Sequence, residues 1–337
     1  MSAQTEPAAL LPAAGAQTRQ AGFLAVLRQG APRYGMVIAC LLLFVVLLIA
    51  SPAFRAPANL INILQQNSLM GIVAVGMLVM IIVGGFDLSV GAVGATSSVV
   101  TAEVIMHAGV AAGIVAGVAL GVLVGTVNGL IIAKMGVNPF VATLGTQSLV
   151  TGLLYVATQT NPVGPVPLSF TRLGLGRLAG IPIDLIVFAG IALLVMLLLR
   201  KTRFGAHVYA VGGNKQAARR AGVAVDRTLI LSYALGGTLA AVGGIVLLGQ
   251  TALAQPDSAT TWPLTAIAAV VVGGVPLTGG YGGIANAVLG TLLLGVVANA
   301  LDIMNASTYW QPAITGLIVL GAVGFDRYAR ARKGGIE

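Results

Sequence analysis

The sequence predicts an all-α fold, a polytopic transmembrane helix bundle of about ten spans with both termini on the cytoplasmic side. Three observations predict it. Only 8% of the 337 residues are charged, and mean hydropathy is +0.98; an ordinary soluble domain carries about 25% charge. The uncharged stretches are long and continuous, where a barrel strand would alternate over about 10 residues. Lys and Arg fall mainly on one side once those stretches are counted as crossings. So little charge cannot cover a soluble surface, which excludes an ordinary cytosolic enzyme and a disordered chain. The net charge of +9 is then a matter of membrane orientation, and no nucleic-acid partner is needed to explain it.

The elements follow in order. Residues 1–33 are rich in Ala, Gln and Pro and read as a loosely ordered cytoplasmic arm. The rival reading is a signal peptide cleaved after Ala50 or Ala53, but its apolar run would be long and its leading arm longer than usual. A membrane domain follows at 34–326, with spans at 35–54, 60–84, 88–106, 110–133, 138–158, 182–200, 228–250, 262–276, 283–301 and 310–325. A crossing takes about 20 residues, so the 44 uncharged residues from Ser258 to Leu301 hold two helices folded at Pro276–Gly280. The eighth and tenth spans are short enough to be re-entrant or tilted. The stretch 327–337 is a basic cytoplasmic tail. With the N-terminus inside, 15 of the 18 Lys and Arg lie on the cytoplasmic side; Arg55, Arg172 and Arg177 lie outside. One span more or fewer would invert every later loop and spoil this split.

Two strings break the apolar pattern alike. Val83-Gly84-Gly85-Phe86-Asp87-Leu88-Ser89-Val90-Gly91 and Val272-Gly273-Gly274-Val275-Pro276-Leu277-Thr278-Gly279-Gly280 share Val-Gly-Gly-x-x-Leu-[Ser/Thr]-x-Gly. Such a break frees backbone groups that must be buried in protein or line a wet cavity. Paired breaks point to discontinuous helices and an imperfect internal repeat. At the first break, Phe86 and Asp87 flank either a cytoplasmic gate or a simple turn in which Asp87 caps the next helix.

The longest charged loop runs over 200–227. Inside it, Gly212-Gly213-Asn214-Lys215-Gln216-Ala217-Ala218-Arg219-Arg220-Ala221-Gly222 reads as a helix of about two turns, with Asn214 as N-cap and Gly222 just past its end. A helix that short is unstable alone in water. It is either a docking helix for a cytoplasmic partner or a solvated basic loop. Polar residues inside spans are candidates for a translocation path: Gln65, Gln66, Asn67 and Ser68 on the second span, Asn138, Thr143 and Gln147 on the fifth, Asn286 and Asn299 on the ninth. Each could equally be hydrogen-bonding glue between helices.

Gly-x-x-x-x-Gly-Lys-[Ser/Thr] does not occur, so the chain carries no P-loop of its own. One cysteine, Cys40, excludes an intrachain disulfide and a cysteine metal cluster. His107 and His207 read as bystanders, and neither a catalytic set nor a metal site is expected. The acids Asp87, Glu103, Asp184 and Asp302 fall near span ends, which counts against a proton-driven carrier.

Several strings resemble one family in order and spacing. They are Gly84–Gly91, Val127-Asn128-Gly129-Leu130, Asn138-Pro139-Phe140-Val141-Ala142-Thr143-Leu144-Gly145-Thr146, Thr202-Arg203-Phe204-Gly205, Tyr209–Asn214 with Ala217-Ala218-Arg219, Tyr309-Trp310-Gln311 and Gly316–Val319. From about Asn59 to Asp326 the chain resembles the permease subunits of bacterial ABC importers for monosaccharides, of the ribose/xylose/galactose type. The resemblance implies a multi-pass protein of the bacterial inner membrane that pairs with a second permease subunit, as homo- or heterodimer. It implies cytoplasmic ABC ATPase subunits that carry the ATP and Mg, so that this chain is a pore and not an enzyme. It also implies an extracytoplasmic sugar-binding protein. Residues Gly212, Gly213, Asn214, Ala217, Ala218, Arg219 and Gly222 look like the ATPase-coupling region. Two departures put the sugar in doubt: Gly274–Gly280, where relatives usually carry a Ser-rich string without Pro, and Phe86, which replaces an aliphatic residue. Within the class the alternative is a permease for branched-chain amino acids or a furanosyl signalling molecule. Outside it, the alternative is a stand-alone secondary carrier.

Overall fold

The computed structural model describes residues 41–307 and 310–333. The arm at 1–33, Cys40 and Tyr309 lie outside the described residues. The helices are α1 (Leu41–Ala50), α2 (Pro52–Arg55), α3 (Pro57–Ile82), α4 (Val90–Ala108), α5 (Val110–Lys134), α6 (Pro139–Thr158), α7 (Leu168–Leu175), α8 (Ile183–Lys201), α9 (Arg203–Gly213), α10 (Lys215–Arg220), α11 (Val225–Thr251), α12 (Trp262–Val272), α13 (Ile284–Ile303) and α14 (Trp310–Lys333). One short hairpin, β1 (Arg177–Leu178) with β2 (Ile181–Pro182), precedes α8.

Among the described residues, seven helices are long and apolar enough to cross a membrane: α3, α4, α5, α6, α8, α11 and α13. They match the second to seventh and the ninth expected spans. The first expected span is interrupted at Ser51, whose hydroxyl accepts from Phe54 N (3.2 Å) and starts α2. The eighth is α12, only 11 residues long, because Gly273-Gly274 stops it before 276. The tenth is longer than expected: α14 runs on through the basic stretch to Lys333, so the helix does not end at 326.

Local chemistry accounts for the helix ends. Pro57 and Pro139 open α3 and α6, where the first turn has no use for the missing N–H. Asn138 caps α6 by accepting from Phe140 N. Gly109, at φ +86°, turns α4 directly into α5.

The α3 helix is apolar all round and almost wholly buried from Asn67 to Ile82, as expected of the central strut of a bundle. The α8, α11, α12 and α13 helices pack around it. The α5–α11 seam is the closest helix pair, and glycine makes it so. Gly113, Gly117, Gly121, Gly125 and Gly129 recur every fourth residue and are buried; Gly121, Gly125 and Gly129 meet α11, and Gly113 and Gly117 lie mainly against α4. A methyl added at Gly121 would stand 2.5 Å from the Gly237 carbonyl oxygen, and one at Gly129 2.6 Å from Ile230 Cα. Small residues are what let helix backbones approach in a bilayer. The outward faces of α5, α6 and α8 stay apolar, with Val115, Leu123, Leu149, Leu153, Val156 and Leu194 exposed. That is the surface a hydrocarbon solvent calls for.

Candidate functional site

The helix break after α3 is a Schellman stop: Gly84, at φ +93°, bonds back to Ile81 O (3.0 Å), and Gly85 N bonds to Met80 O (2.9 Å). The break after α12 repeats it one residue later in the motif. Gly274, at φ +91°, bonds to Val271 O (2.9 Å), and Val275 N bonds to Val270 O (3.2 Å). The two breaks are therefore alike in geometry, but Gly84 answers to Gly274 and not to Gly273. The shared Leu-[Ser/Thr] of the two strings does not superimpose.

A buried polar knot fastens the first break. Asp87 Oδ1 accepts from Ser89 N (2.7 Å) and Ser89 Oγ (2.6 Å), which makes an Asx turn ahead of α4. Asn128 on α5 donates to Ser89 Oγ (2.9 Å) and, at 3.4 Å, to Asp87 Oδ2; its own Oδ1 accepts from Thr146 on α6 (2.6 Å). Thr143 Oγ1 accepts from Leu88 N (3.0 Å) and donates to Pro139 O (2.8 Å). Tyr233 on α11 donates to Phe86 O (3.2 Å), and the Phe86 ring meets Phe140 edge to face, 6.3 Å between centroids. Asp87, Ser89, Asn128 and Thr143 are all buried. Side chains of three helices, α5, α6 and α11, thus converge on one turn.

The other path candidates lie elsewhere. Gln65 donates to Gly174 O (3.1 Å) and ties α3 to α7. Asn67 and Ser68 donate to carbonyls of their own helix, those of Ile63 and Gln65. Gln66 is exposed and Gln147 half-buried. Asn286 donates to Gly273 O (2.6 Å), from α13 to the second break. Asn299 pairs reciprocally with Asn59 (3.0 and 2.9 Å). An apolar groove between α8 and α13, floored by α3, is lined by Leu64, Phe188, Met196, Val288 and others. Its polar members Asn67 and Thr291 direct their donors to their own helices. The candidates do not form one continuous polar path within this chain.

The charged loop folds into two helices, of which the sequence reading has one. Asn214 caps α10 by accepting from Ala217 N (2.8 Å), and Gly222, at φ +80°, closes it with N–H to Arg219 O (3.1 Å). Ahead of it, α9 spans Arg203–Gly213, capped by Thr202. Ala217, Arg219 and Arg220 are exposed, but Ala218 is buried against this chain's own core. A charge at Ala218 would disrupt the loop itself before it met any partner. Arg219 pairs with Asp226 (2.9 Å), which also holds Lys134 (3.1 Å). The ends of α5, α10 and α11 are thereby gathered on one side.

Three residues that the sequence does not mark as partners complete the picture. Asn128 lies inside a quoted motif, yet its partners are visible only in the fold. Asp184, buried at the start of α8, accepts from Gln250 on α11 (2.9 Å). Tyr209 on α9 donates to Gly282 O (2.8 Å). Its string Tyr209–Asn214 carries the family resemblance without showing this bond.

Comparison with known proteins follows the same lines. Residues 59–323 match the family described as branched-chain amino acid transport system / permease component. The L-arabinose transport system permease protein of Escherichia coli (strain K12) is 42% identical over 306 residues, covering 89% of this chain and 92% of that protein. The ribose import permease protein of Bacillus subtilis (strain 168) is 39% identical over 88% of this chain and 92% of its own length. The L-arabinose ABC transporter permease protein of Azospirillum brasilense is 35% identical over 89% of each. No solved structure matches the chain. The resemblance carried by the motifs is borne out, and this chain belongs to the family of transport-system permease components.

Proposed function

We propose that the chain is the membrane permease of an ATP-driven importer for a pentose-like monosaccharide. The observation that carries it is its match, along nearly nine-tenths of its length, to permeases named for arabinose and ribose. Those names favour the sugar over a branched-chain amino acid. The chain works as the pore of a multi-subunit machine in the bacterial inner membrane. Cytoplasmic ABC ATPase subunits bind ATP and Mg, and an extracytoplasmic binding protein delivers the sugar.

The seven long apolar helices counted with α1, α12 and α14 give ten crossings; an even count puts both termini on one side, and the Lys and Arg excess makes that side the inside. The meeting of Lys134, Arg219 and Asp226 supports that sidedness, because α5 must end and α11 begin on the side that bears the docking loop. The arm at 1–33, the 34–326 membrane domain and the basic tail keep their expected roles. The α10 surface, with Asn214, Ala217, Arg219 and Gly222, faces the ATPase; Gly212, Gly213 and Ala218 hold it from behind. Most polar candidates are engaged within the chain, so the sugar path forms where this chain meets a second permease subunit. Exposed Gln66 and half-buried Gln147 are the candidates still placed to reach it.

The test is reconstitution in liposomes with the binding protein and the ATPase, with labelled arabinose, ribose and leucine each offered with and without ATP. ATP-dependent pentose uptake is expected. Uptake by the chain alone on a proton or sodium gradient, or preference for leucine, would overturn the reading. Ala217→Trp on the exposed face of α10 should reduce recovery of the ATPase at unchanged membrane level.

A further inference from the structure

The two helix breaks and the end of α9 meet backbone to backbone. The Ile82 carbonyl, last in α3, accepts from Gly280 N (2.8 Å). Gly212 of α9 passes so close that any Cβ there would collide with the same carbonyl oxygen. A methyl at Gly280 would stand 2.8 Å from Gly213 Cα, and one at Gly279 would stand 3.0 Å from Gly84 Cα. One turn back on α9, Tyr209 donates its hydroxyl to Gly282 O. In the other direction, Asn214 N is still bonded to Ala210 O (3.1 Å) while its side chain starts α10. Where α9 meets the end of α3 and the loop 279–282 that leads into α13, the close contacts are backbone to backbone. Backbone in van der Waals contact transmits displacement, because close-packed interiors have low compressibility.

We infer that this glycine junction, with Tyr209 as its positioning residue, is the joint through which a load on α10 moves both helix breaks together. The inference rests on the reading of α10 as the ATPase-docking surface. The first break carries the polar knot that binds α4, α5 and α6, and the second leads into α13. A shift of α9 therefore reaches the centre of the bundle from two sides at once. The Tyr209 bond matters because it holds α9 to the loop that the Gly212 contact alone touches only through Gly280.

The experiment uses the full complex in liposomes, with wild-type, Tyr209→Phe and Gly212→Ala permeases. It reads ATPase co-purification, ATP hydrolysis and sugar uptake, and from the last two the sugar moved per ATP. Tyr209→Phe removes one hydroxyl and should keep ATPase recovery and hydrolysis. Its uptake per ATP should fall about fivefold, the scale of one lost hydrogen bond. Gly212→Ala should fall further; if it fails to accumulate, Tyr209→Phe decides. A Tyr209→Phe complex with the wild-type ratio overturns the junction. So does a parallel loss of hydrolysis and uptake at constant ratio, which is the mark of a merely structural residue. A wild-type chain that recovers no ATPase and needs no ATP overturns the importer reading instead.

Discussion

After α3 the chain turns at Gly84 and Gly85; after α12 it turns at Gly274 and Val275, with the same pair of backbone bonds. From there the two breaks part. The first is short and buried; its own Asp87 and Ser89 hold it together with Asn128 of α5, Thr143 of α6 and Tyr233 of α11. The second is longer, with Leu277, Thr278 and Tyr281 exposed. Asn286 ties its start, and the backbone of Ile82 and Tyr209 hold its far end. Glycine dictates where each helix stops, but the neighbours decide whether the turn is locked or leans on something else. The first break is anchored by its own chemistry; the second takes its position from the first.

The sharpest way to break this comparison is at Asp87. Asp87→Leu strips both the N–H and the hydroxyl of buried Ser89 of their acceptor, which should cost about 2–4 kcal/mol. Thermal unfolding in detergent should fall markedly, and Asp87→Asn should recover much of it. Equal stability of Asp87→Leu and wild type would mean the knot does not hold the break. Next comes the pair of equivalent positions Gly85 and Val275. A side chain at Gly85 would strike the Tyr233 hydroxyl, so Gly85→Val should cost about 1–3 kcal/mol by overpacking. Val275→Ala only trims a buried side chain, about 1 kcal/mol. The same assay that ranks them in reverse would dissolve the distinction. Asn286→Ala should lose about 0.6 kcal/mol, the average for a hydrogen bond between membrane helices. The smallest effect belongs to Asp226→Asn, whose ion pairs with Lys134 and Arg219 are solvent-exposed and contribute little. Stability should stay within error, with salt making no difference.

Much of the fold is legible in sequence because spans are long, apolar and separated by charge. The caps of α10 are legible too, since Asn214 and Gly222 act through local hydrogen bonds. The α9 helix is not, because Arg203–Gly213 holds three glycines and little helix propensity; it forms because Gly205, Val208 and Val211 pack against the bundle. The register of the two breaks is misleading in sequence, since a double glycine can place its left-handed residue at either position. The knot is hidden for another reason: Asn128 and Thr146 each look like single polar residues in apolar helices, and their pairing is tertiary. The same holds for Asn59 with Asn299, and Gln250 with Asp184. By contrast, glycine at every fourth residue from Gly113 to Gly129 is a plain signal of a tight helix seam.

That seam has a consequence for how the protein is made. The end of α5 and the start of α11 are about 90 residues apart, and a ribosome adds about 5–20 residues per second. For roughly 5–20 seconds after α5 is synthesised, the Gly121–Gly129 part of its ridge has no matching surface in the nascent chain, while Gly113 and Gly117 already meet α4. A helix entering the bilayer in that interval with a small-residue face, including α5 of a neighbouring nascent copy, competes for the ridge. Slowing translation between Lys134 and Val225 lengthens that window and speeding it shortens it, so codon choice over those residues bears on assembly yield without altering a single side chain.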